Sequence, residues 1–273
     1  MIFCKELNQE FATKELMYAA LKENAAKIIS IKKAAIKDSD PVTYFVKRTV
    51  ADKATGENDA VIGVGSTIYP VINTTNYLDS HGDVHGDGIW DNSIKDNKGK
   101  IFYAINHELK IGSIVAYPQN VEAYVETLEW SQLGRDYIGK TQALIYKVLL
   151  TEAANKDFMG AVADKAPIQN SVRMGYISII LCIDDSSDDY KQEYANFYKY
   201  LAVIANKQDA IDAGYYWYVT EAKIIKEGSA VLFGSNDATP IFYSDPADAG
   251  QKEEKAGPPE SSQKVKSLFH NLI

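Results

Sequence analysis

The segment that most constrains the fold is an apolar run in the middle of the chain, residues 166–183, which reads APIQNSVRMGYISIILCI. From Val172 onward, apolar and aromatic residues fall on both faces of an extended chain, which is typical of a strand buried in a sheet or barrel. The first third is polar instead, and Ser171 and Arg173, two residues apart, share one side of such a strand. The sequence therefore predicts a central strand with polar groups at its beginning.

Ser171 has two interpretations at this point. A serine at the start of a strand often satisfies a nearby backbone group. Alternatively, a rigid strand displays the hydroxyl as a nucleophile. The spacing alone favours the first interpretation, so the second needs support from other parts of the chain.

Composition limits the function classes. The chain has 273 residues, a net charge of -8 and a pI of about 5.1, and without a dense basic stripe we expect no nucleic-acid partner. No apolar run approaches the length of about 20 residues that a membrane span needs, so we expect no membrane partner. The start MIFCKEL lacks the basic region and long apolar core of a signal peptide. Cys4 and Cys182 do not form a disulfide framework and fit a reducing cytoplasm.

Periodicity divides the chain into three parts. Residues 1–41 form an N-terminal helical segment, 42–243 the main domain, and 244–273 a flexible linker and C-terminal tail. The sequence predicts helices over 8–36 and 188–206. It predicts strands over 42–50, 60–72, 100–106 and 215–233, the last with a bend or bulge near Gly228.

Residues 79–88 read DSHGDVHGDG and alternate potential metal ligands with small residues. The ligand types are Asp79, His81, Asp83, His85 and Asp87. The loop is not an EF-hand, because Trp90 occupies the twelfth position, and its histidines lack the helical zinc spacing. A glycine-rich turn whose aspartates bond their own backbone is the favoured interpretation. We therefore expect no metal and no cofactor, and a metal-dependent hydrolase remains an alternative.

His107 is the only one of four histidines at the end of a predicted core strand, where functional groups are often displayed. A lone histidine is nevertheless more often structural. Glu221 and Glu227 interrupt the apolar run of 215–233. A carboxylate among buried strand residues is costly unless it is exposed at an edge, paired, or holding a histidine.

Four segments, in this order, resemble the prohead (capsid maturation) serine proteases of tailed bacteriophages, over about residues 60–242. The segments are 79–84 with 88–93, Asn106-His107 with Ile111-Gly112, Asn170 to Tyr176, and Glu227 to Asn236. The chain departs from the family pattern where Arg173-Met174 separate Ser171 from Gly175. It also departs at residues 188–206, which look like an insertion. Both departures leave the oxyanion donors open.

The resemblance implies an α+β or mainly β fold, a closed herpesvirus-assemblin-like β-barrel surrounded by helices, with an N-terminal helix and a flexible C-terminal tail. It implies Ser171 as the nucleophile and His107 as the base. For the acidic third member we choose Glu227, with Glu221 and Asp83 as alternatives. Backbone N–H groups near Ser171, with Arg173 a weaker candidate, would stabilise the oxyanion.

The function implied by the resemblance is a prohead serine endopeptidase. It would act inside the immature capsid, in the host cytoplasm, on scaffold protein, on the major capsid protein and on itself. The linker after Ser244 is a candidate self-cleavage region, and homo-oligomer formation stays open. The alternatives are the metal-dependent hydrolase and a catalytically inactive scaffold or capsid-assembly module.

Overall fold

The computed structural model describes residues 1–35 and 62–246. The strand predicted over 42–50 and most of the predicted tail lie outside these ranges. The elements are β1 Ile2–Cys4, β2 Gln9–Phe11, α1 Lys14–Glu23, α2 Ala25–Ala34, β3 Thr67–Thr74, β4 Asp83–His85, α3 Asp91–Asn97, β5 Phe102–Ile105, β6 Ile114–Ala116, β7 Val121–Glu129, β8 Lys140–Leu149, α4 Lys156–Ala163, β9 Gln169–Ile183, α5 Lys191–Leu201, α6 Lys207–Ala213, β10 Tyr215–Val231 and β11 Ile241–Phe242.

The described strands form three sheets. β1 and β2 make a small antiparallel pair, and the four-stranded sheet has the order β11-β3-β8-β7. The five-stranded sheet has the order β4-β10-β5-β6, with β9 also paired to β10. β10 runs parallel to β4 and β5 and antiparallel to β9. The predicted central strand and the long strand predicted over 215–233 are therefore neighbours along most of their length.

The closed barrel implied by the resemblance is wrong, because the described strands form a mixed α/β fold with open sheets. Closure requires the edge strands to pair with a consistent tilt and stagger. Within the described ranges, β7 and β11 end one sheet, and β6 forms an edge of the other. Apolar periodicity indicates which residues are buried, but it does not indicate which edge strands pair. The same pattern therefore fits an open sheet and a closed barrel.

The two larger sheets share one apolar core and approach closely at Gly228. A Cβ atom there would lie 2.8 Å from the Tyr146 ring and 3.0 Å from an Ile72 methyl group. Glycine is required because β10 lies against the β3–β8 pair at this point. Since side chains alternate along a strand, Ser229 faces away from the second sheet.

The N-terminal segment packs on the same core as the strands. The predicted helix of 8–36 begins later, at Lys14, and is divided at Asn24 into α1 and α2. Thr13 caps α1, since its hydroxyl accepts the amide hydrogen of Leu16. Met17 and Ile28 are buried among the strand residues of the main core.

The tyrosine-rich helix predicted over 188–206 is shorter than expected. α5 ends at Leu201, and the separate helix α6 was not predicted. Phe197 and Leu201 form the buried face of α5, as the helical spacing of its apolar residues indicated. Within residues 1–35 and 62–246, no helix combines the length and the apolar character that a membrane crossing requires.

Candidate active site

A bulge in β10 sets the position of Glu227. β10 takes four steps from Ile224 to Gly228 where β9 takes two, so three residues of β10 lie opposite Arg173. Lys226 within the bulge has a φ of 68°. Bulges bend a strand and re-aim its side chains, and they are frequent beside active sites. The bend predicted near Gly228 therefore lies directly before it and controls the direction of the Glu227 side chain.

His107 lies in a tight turn after β5. Asn106 has a φ of 51° and His107 a φ of 57°. Two successive residues therefore have the left-handed backbone conformation, as in a type I′ turn. Such a backbone costs of order 1–3 kcal/mol for a non-glycine residue and persists where its surroundings hold it. The amide of Asn106 donates to the Ala230 carbonyl at 2.9 Å, and the amide of His107 donates to Ser229 Oγ at 3.1 Å. β10 therefore holds the turn in place.

His107 and Glu227 are in direct contact. His107 Nδ1 lies 2.7 Å from Glu227 Oε1, and Ser229 Oγ donates to Glu227 Oε2 at 2.6 Å. An ionised carboxylate only accepts hydrogen bonds, so next to one Nδ1 is the donor, and in the corresponding neutral tautomer Nε2 is the acceptor. Nε2 is buried and has no hydrogen-bond partner within residues 1–35 and 62–246. The ring is thus oriented by a carboxylate while its basic nitrogen stays unused.

Ser171 lies on the same face of the sheet as this pair. It is directly opposite Ser229 in the antiparallel β9–β10 register. Side chains opposite each other on antiparallel strands share a face, with Cβ atoms about 5 Å apart. Ser171 therefore neighbours the residue that bonds both Glu227 and the His107 turn. The predicted hydroxyl, imidazole and carboxylate thus lie at one end of three adjacent strands, with His107 and Glu227 in contact and, within residues 1–35 and 62–246, no hydrogen bond from Ser171 to His107 Nε2.

Asn170, on the opposite face of β9 from Ser171, fixes the beginning of this strand. Its side chain accepts a hydrogen bond from the Tyr103 hydroxyl at 2.6 Å and donates to the Thr239 carbonyl at 2.9 Å. Asn236 lies in the loop that also contains Thr239, and its side-chain amide donates to the Thr74 carbonyl at 3.1 Å. Sequence reasoning gave these asparagines no role. The available signal was their place beside apolar segments, because a buried amide needs partners.

The other acidic candidates have different partners. Glu221 accepts a hydrogen bond from the Asn92 side chain at 2.9 Å, and Asp83 forms an ion pair with Lys32 at 2.5 Å. Arg173, the weaker oxyanion candidate, is half-buried on β9 two residues from Ser171. Glu227 is the acidic candidate that contacts His107, and it is fully buried.

The Asp/His loop is stabilised by its own side chains. Asp79 Oδ1 accepts the backbone amides of His81 and Asp83, both at 2.9 Å, as in the turn that the sequence favoured. Asp87 Oδ1 accepts the Thr75 hydroxyl at 2.5 Å. Within the described part of the chain, no group of three or more histidine, cysteine or acidic side chains is arranged to hold a metal ion. The loop's carboxylates thus serve the turn and its neighbours.

His85, from the same loop, belongs to a buried polar chain. Its Nδ1 lies 2.9 Å from Asn73 Nδ2, and its Nε2 lies 3.1 Å from the Tyr176 hydroxyl. That hydroxyl donates to Asp83 Oδ2 at 2.8 Å, and Asp83 pairs with Lys32. Burial raises the pKa of Tyr176 well above its ordinary value, and the Asp83 carboxylate adds to the shift, so the hydroxyl stays protonated. The role of Lys32 in this chain was not predicted.

Tyr146 contributes to the low polarity around Glu227. Its ring packs on Gly228, and the side chain is fully buried. Burial raises the pKa of Tyr146 well above its ordinary value, and the negative charge of Glu227 adds to the shift. The tyrosine hydroxyl therefore stays protonated.

Comparisons with known proteins add no family assignment. A scan against models of protein families, a search of curated proteins and a search of solved structures each found no match.

Proposed function

We propose that this protein is a serine endopeptidase with Ser171 as nucleophile, His107 as base and Glu227 as the acidic third member. The observation that carries the proposal is the 2.7 Å contact between His107 Nδ1 and the buried carboxylate of Glu227, with His107 Nε2 unpartnered within the described ranges. A buried carboxylate that orients an imidazole beside a strand-borne serine is the arrangement that serine hydrolases use. The support comes from the site geometry and does not depend on a closed barrel.

In the first half of the reaction, Ser171 Oγ attacks the carbonyl carbon of a peptide bond while His107 Nε2 removes its proton. Glu227 stabilises the imidazolium that forms. Collapse of the tetrahedral intermediate breaks the C–N bond, and His107 transfers the proton to the leaving amine. Backbone N–H groups near the start of β9 bind the oxyanion in this proposal.

In the second half, water attacks the acyl-Ser171 ester and His107 again acts as base. The ester C–O bond breaks, the proton returns to Ser171 Oγ, and a carboxylic acid is released. The reaction consumes one water molecule and regenerates the enzyme, so no metal or cofactor is needed to balance it.

The resemblance to prohead proteases suggests the biological setting of this activity. We propose that the substrates are scaffold protein and the major capsid protein, followed by the enzyme itself. The place of action would be the interior of the immature capsid in the host cytoplasm. The alternative of an inactive assembly module shares this setting but predicts no acyl-enzyme.

A fluorophosphonate probe tests the chemistry on the full chain. The probe phosphonylates an activated serine and releases fluoride, and tryptic peptide mass spectrometry locates the adduct. We expect the adduct on Ser171 of the wild type and none in Ser171→Ala. Ser178→Ala is the matched control, because Ser178 lies on the same strand opposite Glu221 and should leave labelling unchanged. A folded wild type that stays unlabelled would contradict the proposal.

Incubation with scaffold and major capsid proteins tests the endopeptidase assignment. We expect shortened products with the wild type and intact substrates with Ser171→Ala, with no effect of a chelator. Labelling of Ser171 without cleavage of any polypeptide would replace the endopeptidase by a hydrolase of small substrates. Loss of cleavage with chelator would support the metal-dependent alternative.

A further inference from the structure

We infer that the hydroxyl of Ser229 is a positioning group, which holds the Glu227 carboxylate and the His107 turn in the geometry that the reaction needs. The inference rests on the proposed function for its catalytic meaning. Its structural basis is independent, because it comes from distances between atoms of residues that are fully or largely buried.

The three groups form a closed ring of hydrogen bonds. The His107 amide donates to Ser229 Oγ at 3.1 Å, and Ser229 Oγ donates to Glu227 Oε2 at 2.6 Å. The other oxygen, Glu227 Oε1, lies 2.7 Å from His107 Nδ1 and returns the ring to its starting residue. A hydroxyl suits this place because it accepts one hydrogen bond and donates another at the same time.

The first task of the hydroxyl is to fix the plane of the carboxylate. The terminal torsion of a glutamate has a broad energy minimum, so Glu227 alone would not keep Oε1 directed at His107 Nδ1. A donor on Oε2 removes that freedom. Glu227 is 0% exposed, and a buried carboxylate also needs hydrogen bonds to replace the water that it has lost. Hydrogen bonds to a charged group are the strong ones.

The second task is to hold the backbone of the turn. The backbone of His107 is in the left-handed conformation, and its N–H group donates to Ser229 Oγ. Removal of the hydroxyl leaves a buried amide without this partner at a residue whose backbone is already unfavourable. One hydroxyl therefore controls both the position of the imidazole and the direction of the carboxylate that polarises it.

The same hydrogen bonds argue against Ser229 as the nucleophile. Its proton is donated to Glu227, and its oxygen accepts from the backbone of His107. The basic nitrogen of His107 is Nε2, on the other side of the ring from the carboxylate contact. Ser171, opposite Ser229 in the strand register, is the other serine at this end of the two strands.

Three substitutions of Ser229 separate the hydroxyl from the shape of the side chain. Threonine keeps the hydroxyl, valine has nearly the same shape without it, and alanine removes it without added bulk. With the fluorophosphonate probe, we expect Ser229→Thr to keep the labelling rate of Ser171 within about threefold of wild type. We expect Ser229→Val and Ser229→Ala to lose about tenfold or more. Equal rates in the threonine and valine variants would overturn the inference, as would an adduct on Ser229.

Proton NMR supplies a readout that does not depend on activity. The Nδ1 proton of His107, held against a carboxylate, should give a low-field imidazole resonance that His107→Gln removes. We expect the resonance in wild type and Ser229→Thr, and its loss or broadening in Ser229→Val and Ser229→Ala. If wild type is not labelled by the probe, the proposed function fails, while this resonance still decides the role of Ser229. An unchanged resonance in the valine and alanine variants would overturn that role.

Discussion

Two buried histidines in this molecule each lie in a hydrogen-bonded chain with a carboxylate, but their basic nitrogens differ. In His85 both ring nitrogens have partners, Asn73 Nδ2 and the Tyr176 hydroxyl. In His107 one nitrogen contacts Glu227 directly, and the other is buried without a partner within the described ranges. A histidine with both nitrogens occupied is suited to structure, whereas a histidine with an oriented, unused Nε2 is suited to proton transfer.

The carboxylates differ in the same way. Asp83 is neutralised by the ammonium group of Lys32, at a distance of 2.5 Å. Glu227 contacts the hydroxyl of Ser229 and the imidazole of His107. The negative charge of Glu227 is therefore available to stabilise an imidazolium, while that of Asp83 is already compensated. The network of His85 and Asp83 is therefore structural, and that of His107 and Glu227 is a candidate catalytic network. In the sequence, His85 and Asp83 are two residues apart, whereas His107 and Glu227 are far apart.

The largest expected effect comes from exchanging each histidine for glutamine. His107→Gln should lower the rate of Ser171 phosphonylation by about a thousandfold or more, because the base is lost. His85→Gln should leave the rate of the folded protein within a few-fold of wild type and lower its stability. The measurement is the labelling rate of both variants, with circular dichroism to confirm folding. A larger rate loss in His85→Gln than in His107→Gln would reverse the comparison.

The carboxylates give the second test. Glu227→Gln can present an amide N–H to His107 and so favour the tautomer with its proton on Nε2, which cannot act as a base. We expect a loss of about a hundredfold to ten-thousandfold in the labelling rate. Asp83→Asn should leave the labelling rate of the folded protein nearly unchanged and lower its thermal stability. Normal labelling in Glu227→Gln would remove this carboxylate from the mechanism.

The smallest effect on chemistry, and a large one on stability, is expected for Lys32→Met. This change removes the ammonium group that pairs with the buried carboxylate of Asp83, and the Lys32 and Asp83 side chains are 8% and 0% exposed. Removal of one partner of a buried ion pair typically costs about 3–5 kcal/mol of unfolding free energy. Urea denaturation should show a lower midpoint with an unchanged slope. A midpoint equal to that of wild type would show that this ion pair does not stabilise the fold.

Much of the strand pattern could be predicted from the sequence, because burial controls the spacing of apolar residues. The apolar run after Val172 indicated β9, and the strand-like run of 215–233 indicated β10 with an irregularity near Gly228. His107 was singled out by its place after a strand, and Glu227 by its charge among apolar residues. These signals are local, and each requires only a few consecutive residues.

The remaining features depend on contacts between distant segments. The open sheets differ from the predicted barrel because edge pairing is not encoded in periodicity. The division of the N-terminal helix at Asn24, the separate helix α6 and the pairing of Lys32 with Asp83 also required the folded chain. The role of Ser229 was hidden for the same reason, because its partners lie in the turn after β5 and beside the bulge.

The most direct test of the central claim is the distance between Ser171 Oγ and His107 Nε2 in a crystal structure of the protein. We predict that the two atoms are within hydrogen-bond reach, about 2.6–3.2 Å or somewhat longer in an unliganded site. We also predict that Nδ1 of the same ring remains in contact with Glu227. An imidazole turned away from Ser171, or an Nε2 bonded to another side chain, would contradict the account.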